Sequence, residues 1–172
     1  YLRMARIWAE NSYCERRQVG ALIVRGDAII SDGYNGTASG FENICEDENN
    51  KTKPYVLHAE ANAITKVAKS NNSSLGATLY VTSSPCIECA KLIIQAGIRR
   101  VVYSENYRSV DGIELLQKAG IDVAFIGASC CDNMGNMNGC LGPSAFGSMG
   151  YAKVDARFAK KVVAITDHLV PY

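Results

Sequence analysis

The sequence predicts an α/β fold: a central mixed five-stranded sheet with helices on both faces. Three observations predict it. Apolar residues recur at helical spacing in four stretches, while five short runs are rich in β-branched and apolar residues. The two kinds follow one another as α-β-β-α-β-α-β-α-β through residue 126. Gly, Pro or Asn clusters mark most of the boundaries between them. The composition then shifts abruptly, so residues 1–126 read as one domain and 127–172 as a C-terminal extension.

Tyr1 to Ser12 alternates Leu2, Ala5, Ile7, Trp8 and Ala9 with Arg3, Arg6 and Glu10, which predicts an amphipathic helix. Val19–Val24 and Ala28–Ile30 flank Arg25-Gly26-Asp27, the pattern of a β-hairpin. Gly33-Tyr34-Asn35-Gly36-Thr37 and Ser39-Gly40 read as a glycine-rich loop, either a surface turn or a place where backbone approaches a ligand. Residues 42–54 are polar and Asn-rich and read as a mobile loop. His58 opens a helix to about Lys69, and Asn71–Ser74 is a turn. Ala77–Thr82 is a strand, and Pro85 suits the first turn of a helix that runs to Ala96 and stops at Gly97. Arg99–Tyr103 is a strand, Asp111–Ala119 a helix ended by Gly120, and Ile121–Ile126 the last strand of the sheet.

Composition excludes several classes. The chain has 172 residues, 48% hydrophobic and 20% charged, which suits a globular domain with a small appendage. A net charge of +1 gives no bulk attraction to nucleic acid or membrane. Apolar runs are too short to span a bilayer, and no signal peptide is visible. The chain begins at Tyr1 and not at Met, which points to a few residues upstream. Seven cysteines is an odd number for a disulfide framework. With two assigned to metal below, Cys14, Cys45, Cys130, Cys131 and Cys140 read as thiols in a reducing cytoplasm.

The chemistry concentrates in His58-Ala59-Glu60 and Pro85-Cys86-Ile87-Glu88-Cys89. Thiolates and a neutral imidazole suit Zn²⁺, and three protein ligands leave the fourth tetrahedral position to water. Cys86 and Cys89 at i and i+3 of a helix share one face. At that helix start the dipole favours thiolate. Glu60, two residues from His58, is free to act on the water without binding the metal. Alone, a C-x-x-C reads equally as a redox pair, half of a structural zinc site or core packing. His58 alone reads as an ordinary histidine, and Glu60 alone as an exposed helix residue. A redox pair does not need the upstream H-x-E, and a structural site wants a fourth protein ligand, of which there is none nearby in sequence. H-x-E followed by P-C-x-x-C is the signature of zinc nucleobase deaminases.

These residues resemble the cytidine deaminase superfamily, and within it the deoxycytidylate (dCMP) deaminases. Cys14 through Ala21, Gly33-Tyr34-Asn35-Gly36, His58 through Ile64, Tyr80 through Lys91 and Tyr103 through Arg108 carry the likeness, across residues 1–126. It implies the three-layer cytidine-deaminase-like fold and hydrolysis of dCMP to dUMP and ammonia, feeding thymidylate synthesis. It implies one catalytic Zn²⁺ per subunit on His58, Cys86 and Cys89, activating a water that attacks C4 of cytosine. Glu60 then carries protons to N3 and to the departing amino group. By the same resemblance Asn35 contacts the deoxyribose, the Ala59 N–H the base carbonyl and Ser84 the substrate, while Tyr107 and Arg108 lie on the phosphate side. An Arg108 salt bridge at a surface or subunit interface fits that residue nearly as well. Gly33, Tyr34 and Gly36 resemble an effector-binding loop for dCTP or dTTP with Mg²⁺. The family resemblance further implies a homo-oligomer, often a hexamer, without membrane or nucleic-acid partners.

Two features depart from that family. Some relatives hold a second zinc with cysteines placed like Cys14 and Cys45 plus histidines, but this chain has only His58 and His168, so the expectation is no second site, with Cys14 and Cys45 near each other as thiols. The second departure is the tail. Residues 127–172 resemble a fragment of the citrate lyase alpha subunit, with a helix-like stretch at 151–160 and a strand-like Val162–Thr166. The fragment is too short for that enzyme's domain, so its activity does not transfer. Cys130, Asp132 and His168 have ligand chemistry but read more simply as loop and helix residues. Two other functions compete with dCMP deamination. One is deamination of another cytosine substrate, a nucleoside or a nucleic-acid base. The other is a non-catalytic, zinc-stabilised nucleotide-binding module, which would not need Glu60.

Overall fold

The computed structural model describes residues 1–121, 123–127, 130–132, 137–138, 161–165 and 169–170, those beyond 121 as backbone strands only. The chain divides into two compact units, Tyr1–Ile121 and Asp122–Tyr172. The first unit runs α1 (Leu2–Ala9), β1 (Gly20–Arg25), β2 (Ala28–Tyr34), β3 (Gly36–Thr37), β4 (Val56–Leu57), α2 (Ala59–Ala68), β5 (Thr78–Ser83), α3 (Ile87–Gln95), β6 (Arg100–Glu105) and α4 (Asp111–Lys118).

Its central sheet is mixed, in the order β2-β1-β5-β6. The hairpin forms as expected, with Arg25 paired to Ala28 across Gly26-Asp27. β1 runs antiparallel to β5, while β5 and β6 run parallel, joined through α3. Alternation along the strands decides which helix covers which face. Asp32 and Tyr80 both lie opposite Leu22 in register. α1 reaches that face: Trp8 Nε1 donates to Asp32 Oδ1 at 2.8 Å, and the Tyr1 ring sits 4.9 Å from that of Tyr80. Ser31 lies opposite Ile23, on the other face, and its hydroxyl donates to the Ala63 carbonyl of α2 at 2.7 Å. Helices therefore cover both faces. The main core is on the α2 side, where Ile23, Leu79, Val81 and Val101 of the sheet meet Ala59, Ala63, Ile93 and Leu116 of the helices.

The sheet of this unit has four strands, not five. The segment expected as the fifth does form a strand, β7 (Val123–Gly127), but it pairs in parallel with β10 (Lys161–Ile165). An apolar β-branched run specifies a strand without specifying which edge it joins, and β7 has its parallel partner in β10. In the same unit β8 (Cys130–Asp132) pairs with β9 (Met137–Asn138) and β11 (Leu169–Val170). Cys130 and Asp132 thus lie on a strand and not in a loop. The stretch 151–160, Cys140 and His168 lie outside the described residues.

Two other expectations change. Gly33 and Tyr34 belong to β2, and Gly36 pairs with Leu57 in a small β3–β4 ladder, so part of this glycine-rich stretch is strand, while Ser39-Gly40 remains a turn. The 42–54 segment is a loop, as expected, with its own internal hydrogen bonds. Asp47 Oδ1 accepts from the backbone N–H groups of Asn49 and Lys51, both at 2.9 Å, and Glu46 bridges to Thr52. Cys14 and Cys45, expected as thiols, are joined in a disulfide with both residues buried. Sequence spacing could not show that two loops separated by a hairpin lie side by side.

Gly33 sets how closely α2 lies on the sheet. A methyl group there would fall 2.6 Å from Ala63 N and overlap Ala59 O, both backbone atoms of α2. Gly33→Ala is expected to destabilise the protein by about 2 kcal/mol through overpacking, read as a lower thermal midpoint with zinc content monitored in parallel.

Candidate metal centre and substrate pocket

Two helices begin at the same place. His58 is the N-cap of α2 and Cys86 the N-cap of α3, both in extended backbone conformation, and neither side chain caps its own helix. Cys89 follows in the first turn of α3, where the i, i+3 spacing turns it to the same side as Cys86. His58 Nδ1 lies 3.4 Å from Cys86 Sγ and 3.5 Å from Cys89 Sγ. All three donor atoms fall within 4.8 Å of one another. A tetrahedral zinc with bonds of about 2.1 Å to nitrogen and 2.3 Å to sulfur separates such donors by about 3.6 Å. The donor set therefore fits zinc in both chemistry and spacing. Among the described residues this is the one such cluster, with no fourth protein ligand.

The electrostatics favour a cation. A hydrogen bond from the Cys89 thiol, with His58 assisting, holds the Cys86 thiol down to about 3. The same bond and burial push Cys89 far above the usual thiol range. The two sulfurs therefore share one proton. His58 is raised, chiefly by its hydrogen bond with Cys86. Burial pushes the Glu60 carboxyl up to about 6, against the opposing pull of its own backbone amide and of His58. A buried carboxyl near neutrality can both take and return a proton.

The position of Cys86 depends on α4. A methyl group at Gly112 would overlap Pro85 O and fall 2.8 Å from Cys86 O. Both contacts are backbone, so only glycine lets α4 pack against the turn carrying Cys86.

A cavity of about 470 Å³ opens beside the cluster. His58, Glu60 and Cys86 line it, and so do Asn35, Ala59, Ser84, Tyr107 and Arg108, the residues expected from sequence to bind substrate. Asn35 is already engaged: its Oδ1 accepts from Val19 N at 2.7 Å and its Nδ2 donates to Arg17 O at 2.8 Å. Each of those atoms keeps one further hydrogen-bonding position for a ligand. Ser84 Oγ accepts from Tyr107 N at 2.7 Å and fixes the start of the 107–108 segment, where the Arg108 guanidinium lies 5.4 Å from the Tyr107 ring. Gly33, Tyr34 and Gly36 do not line this cavity. Sequence reading missed Arg16, Arg17, Lys51 and Ser83 on its wall. Arg16 and Arg17 lie in a run already singled out by resemblance, but nothing in their spacing showed that they face the same space as Arg108. Arg17 also pairs with Glu105 at 2.8 Å, an exposed contact that adds little stability.

Residues 1–105 match the description "Cytidine and deoxycytidylate deaminase zinc-binding region". The chain belongs to this deaminase family. The dCMP deaminase of cyanophage S-TIM5, crystallised with dCMP and dUMP, has 46% identity and a TM-score of 0.71, covering 72% of this chain and 92% of that one. ComE operon protein 2 of Bacillus subtilis is 40% identical over 128 residues, covering 72% of this chain and 67% of the relative. Deoxycytidylate deaminase of Saccharomyces cerevisiae is 35% identical over 133 residues, and the match spans only 42% of that longer protein. A second description, "Citrate lyase, alpha subunit (CitF)", matches residues 77–172, so over that span the chain belongs to that family too. The match starts well before residue 127 and overlaps the first through β5, α3 and β6, including Cys86 and Cys89. Within the overlap, the geometry ties both cysteines to His58.

Two tests follow from the cluster. Because a proton must leave Cys89 before it can bind metal, protons compete with zinc, and zinc affinity is expected to rise with pH. Competition with a chelating dye across roughly pH 6 to 8, about one unit on either side of neutrality, measures the slope. Gly112→Ala is expected to lower zinc occupancy by displacing Cys86, as read by elemental analysis of protein that still shows a cooperative thermal transition.

Proposed function

We propose that this chain hydrolyses dCMP to dUMP and ammonia, supplying dUMP for thymidylate synthesis. The observation that carries the reading is a buried carboxyl, Glu60, sharing one cavity with a His-Cys-Cys metal cluster and with Arg16, Arg17, Lys51 and Arg108. The acid–base group suits deamination, and the cations suit a nucleotide phosphate. The relatives named as deoxycytidylate deaminases support the same choice.

Zinc held by His58, Cys86 and Cys89 supplies the Lewis acid that makes water nucleophilic near neutral pH. The chain's own residues do the rest. Glu60 takes one proton of the attacking water and delivers it to N3 of cytosine, then takes the remaining proton of the hydroxyl now on C4 and gives it to the amino group, which leaves as ammonia while the C4 carbonyl forms. The Ala59 N–H at the positive end of α2 holds the base carbonyl. Asn35 contacts the deoxyribose, Ser84 orders the wall that meets the substrate, and Tyr107 and Arg108 take the phosphate.

Regulation by dCTP and dTTP with Mg²⁺, and a homo-oligomer such as a hexamer, belong to the same proposal. Exposed Met4, Ile7 and Trp8 on one helix support a subunit interface. A cytoplasmic location follows from the substrate. Among the described residues no helix is long and apolar enough to cross a membrane.

The test is deamination of dCMP and deoxycytidine by zinc-loaded protein, followed by ultraviolet absorbance. Turnover of dCMP with little of deoxycytidine is expected, whereas turnover of deoxycytidine alone would move the assignment to nucleoside deaminases. In Glu60→Gln, zinc content and folding are expected to persist while kcat falls by at least about 10²-fold. Normal turnover in that variant would sink the proton-shuttle role.

A further inference from the structure

Thr82-Ser83-Ser84 ends β5 beside the cluster, and its three hydroxyls have different fates. Thr82 Oγ1 accepts from Gly20 N at 3.2 Å, tying β5 to β1. Ser84 Oγ accepts from Tyr107 N at 2.7 Å. Ser83 Oγ makes no hydrogen bond, although the residue is only 5% exposed. Among the described residues it is the one buried side-chain nitrogen or oxygen without a partner. A buried hydroxyl left unpaired carries a desolvation cost, so a native protein that keeps one has a partner for it elsewhere.

Its position names the partner. Alternation puts Ser83 on the same face as Leu79 and Val81, the face covered by α2. Ser83 lines the cavity together with Glu60 and Cys86. Its Oγ is buried, the residue borders the cavity, and χ1 has other staggered wells in which the hydroxyl takes a different direction. We propose that Ser83 is a substrate-binding residue whose hydroxyl pairs with the polar edge of the pyrimidine. The chemistry suits a reaction that replaces an amino group by a carbonyl. A hydroxyl accepts from an N–H and donates to a C=O by turning its proton, so one side chain serves substrate and product. A backbone carbonyl at the same place would accept only. The inference rests on the pyrimidine-nucleotide reading above.

The experiment compares zinc-loaded wild type with Ser83→Ala. It reads dUMP affinity by calorimetry, KM for dCMP, zinc content and the ligand-free thermal midpoint. Loss of the bond is expected to weaken dUMP binding and raise KM by about tenfold. Zinc content stays the same, and the ligand-free midpoint stays equal or rises, because the variant no longer buries an unpaired hydroxyl. Unchanged dUMP affinity, or a lower ligand-free midpoint, overturns the proposal, the second by showing that the hydroxyl serves the fold. Wild type that binds dUMP and turns over dCMP while the variant matches it removes Ser83 alone. Wild type that does neither removes the pyrimidine-nucleotide reading and Ser83's role with it.

Discussion

The close approach of two helix starts is the constraint on which the rest of the site depends. His58 and Cys86 are N-caps of different helices, separated by a strand and a turn in sequence, yet their donor atoms lie 3.4 Å apart. Neither helix reaches that point by its own propensity. α2 lies close to the sheet because Ala59 and Ala63 are small and Gly33 has no side chain to hold them off. α3 is held from the other side by α4, whose Gly112 meets the Pro85–Cys86 backbone. Small residues thus fix a metal site to within a fraction of an ångström, and they do so by what they lack.

The same arrangement sets the charge state of the site. Helix starts present positive dipole ends, which favour thiolate at the cysteines and suit an anionic substrate group nearby. Glu60, in the first turn of α2, is buried there and pushed up to about 6. Its burial two residues from His58 suits the proton-transfer role proposed above. The cations Arg16, Arg17, Lys51 and Arg108 line the same cavity as Glu60.

The tail belongs to the second compact unit. Its match to citrate lyase overlaps the deaminase match over β5, α3 and β6, a stretch whose strand–helix–strand pattern is common to many α/β proteins. The two descriptions overlap on these residues, and the side-chain geometry shows what the cysteines meet. Cys86 and Cys89 meet His58, which lies outside the citrate lyase match.

Much of this was legible in the sequence. Four helices, the hairpin and the strands at 77–82 and 99–103 follow from periodicity and punctuation, which are local properties. The ligand set and Glu60 follow from residue chemistry at short spacing. What periodicity could not decide was pairing between distant segments. The segments at 123–127 and 161–165 were both visible as strands, but their pairing was not, because a β-run carries no address for its edge. Cys14 and Cys45 looked like thiols because their neighbourhood is created by two loops folding together. Arg16 and Lys51 joined Arg108 around one cavity for the same reason. Ser83 was invisible as a site residue, since only the packed structure shows that the hydroxyls on either side of it have partners and its own does not. The sequence by itself determined which groups are present and which local elements carry them. Tertiary structure decided which of those groups meet, because proximity between distant segments is set by packing and not by spacing along the chain.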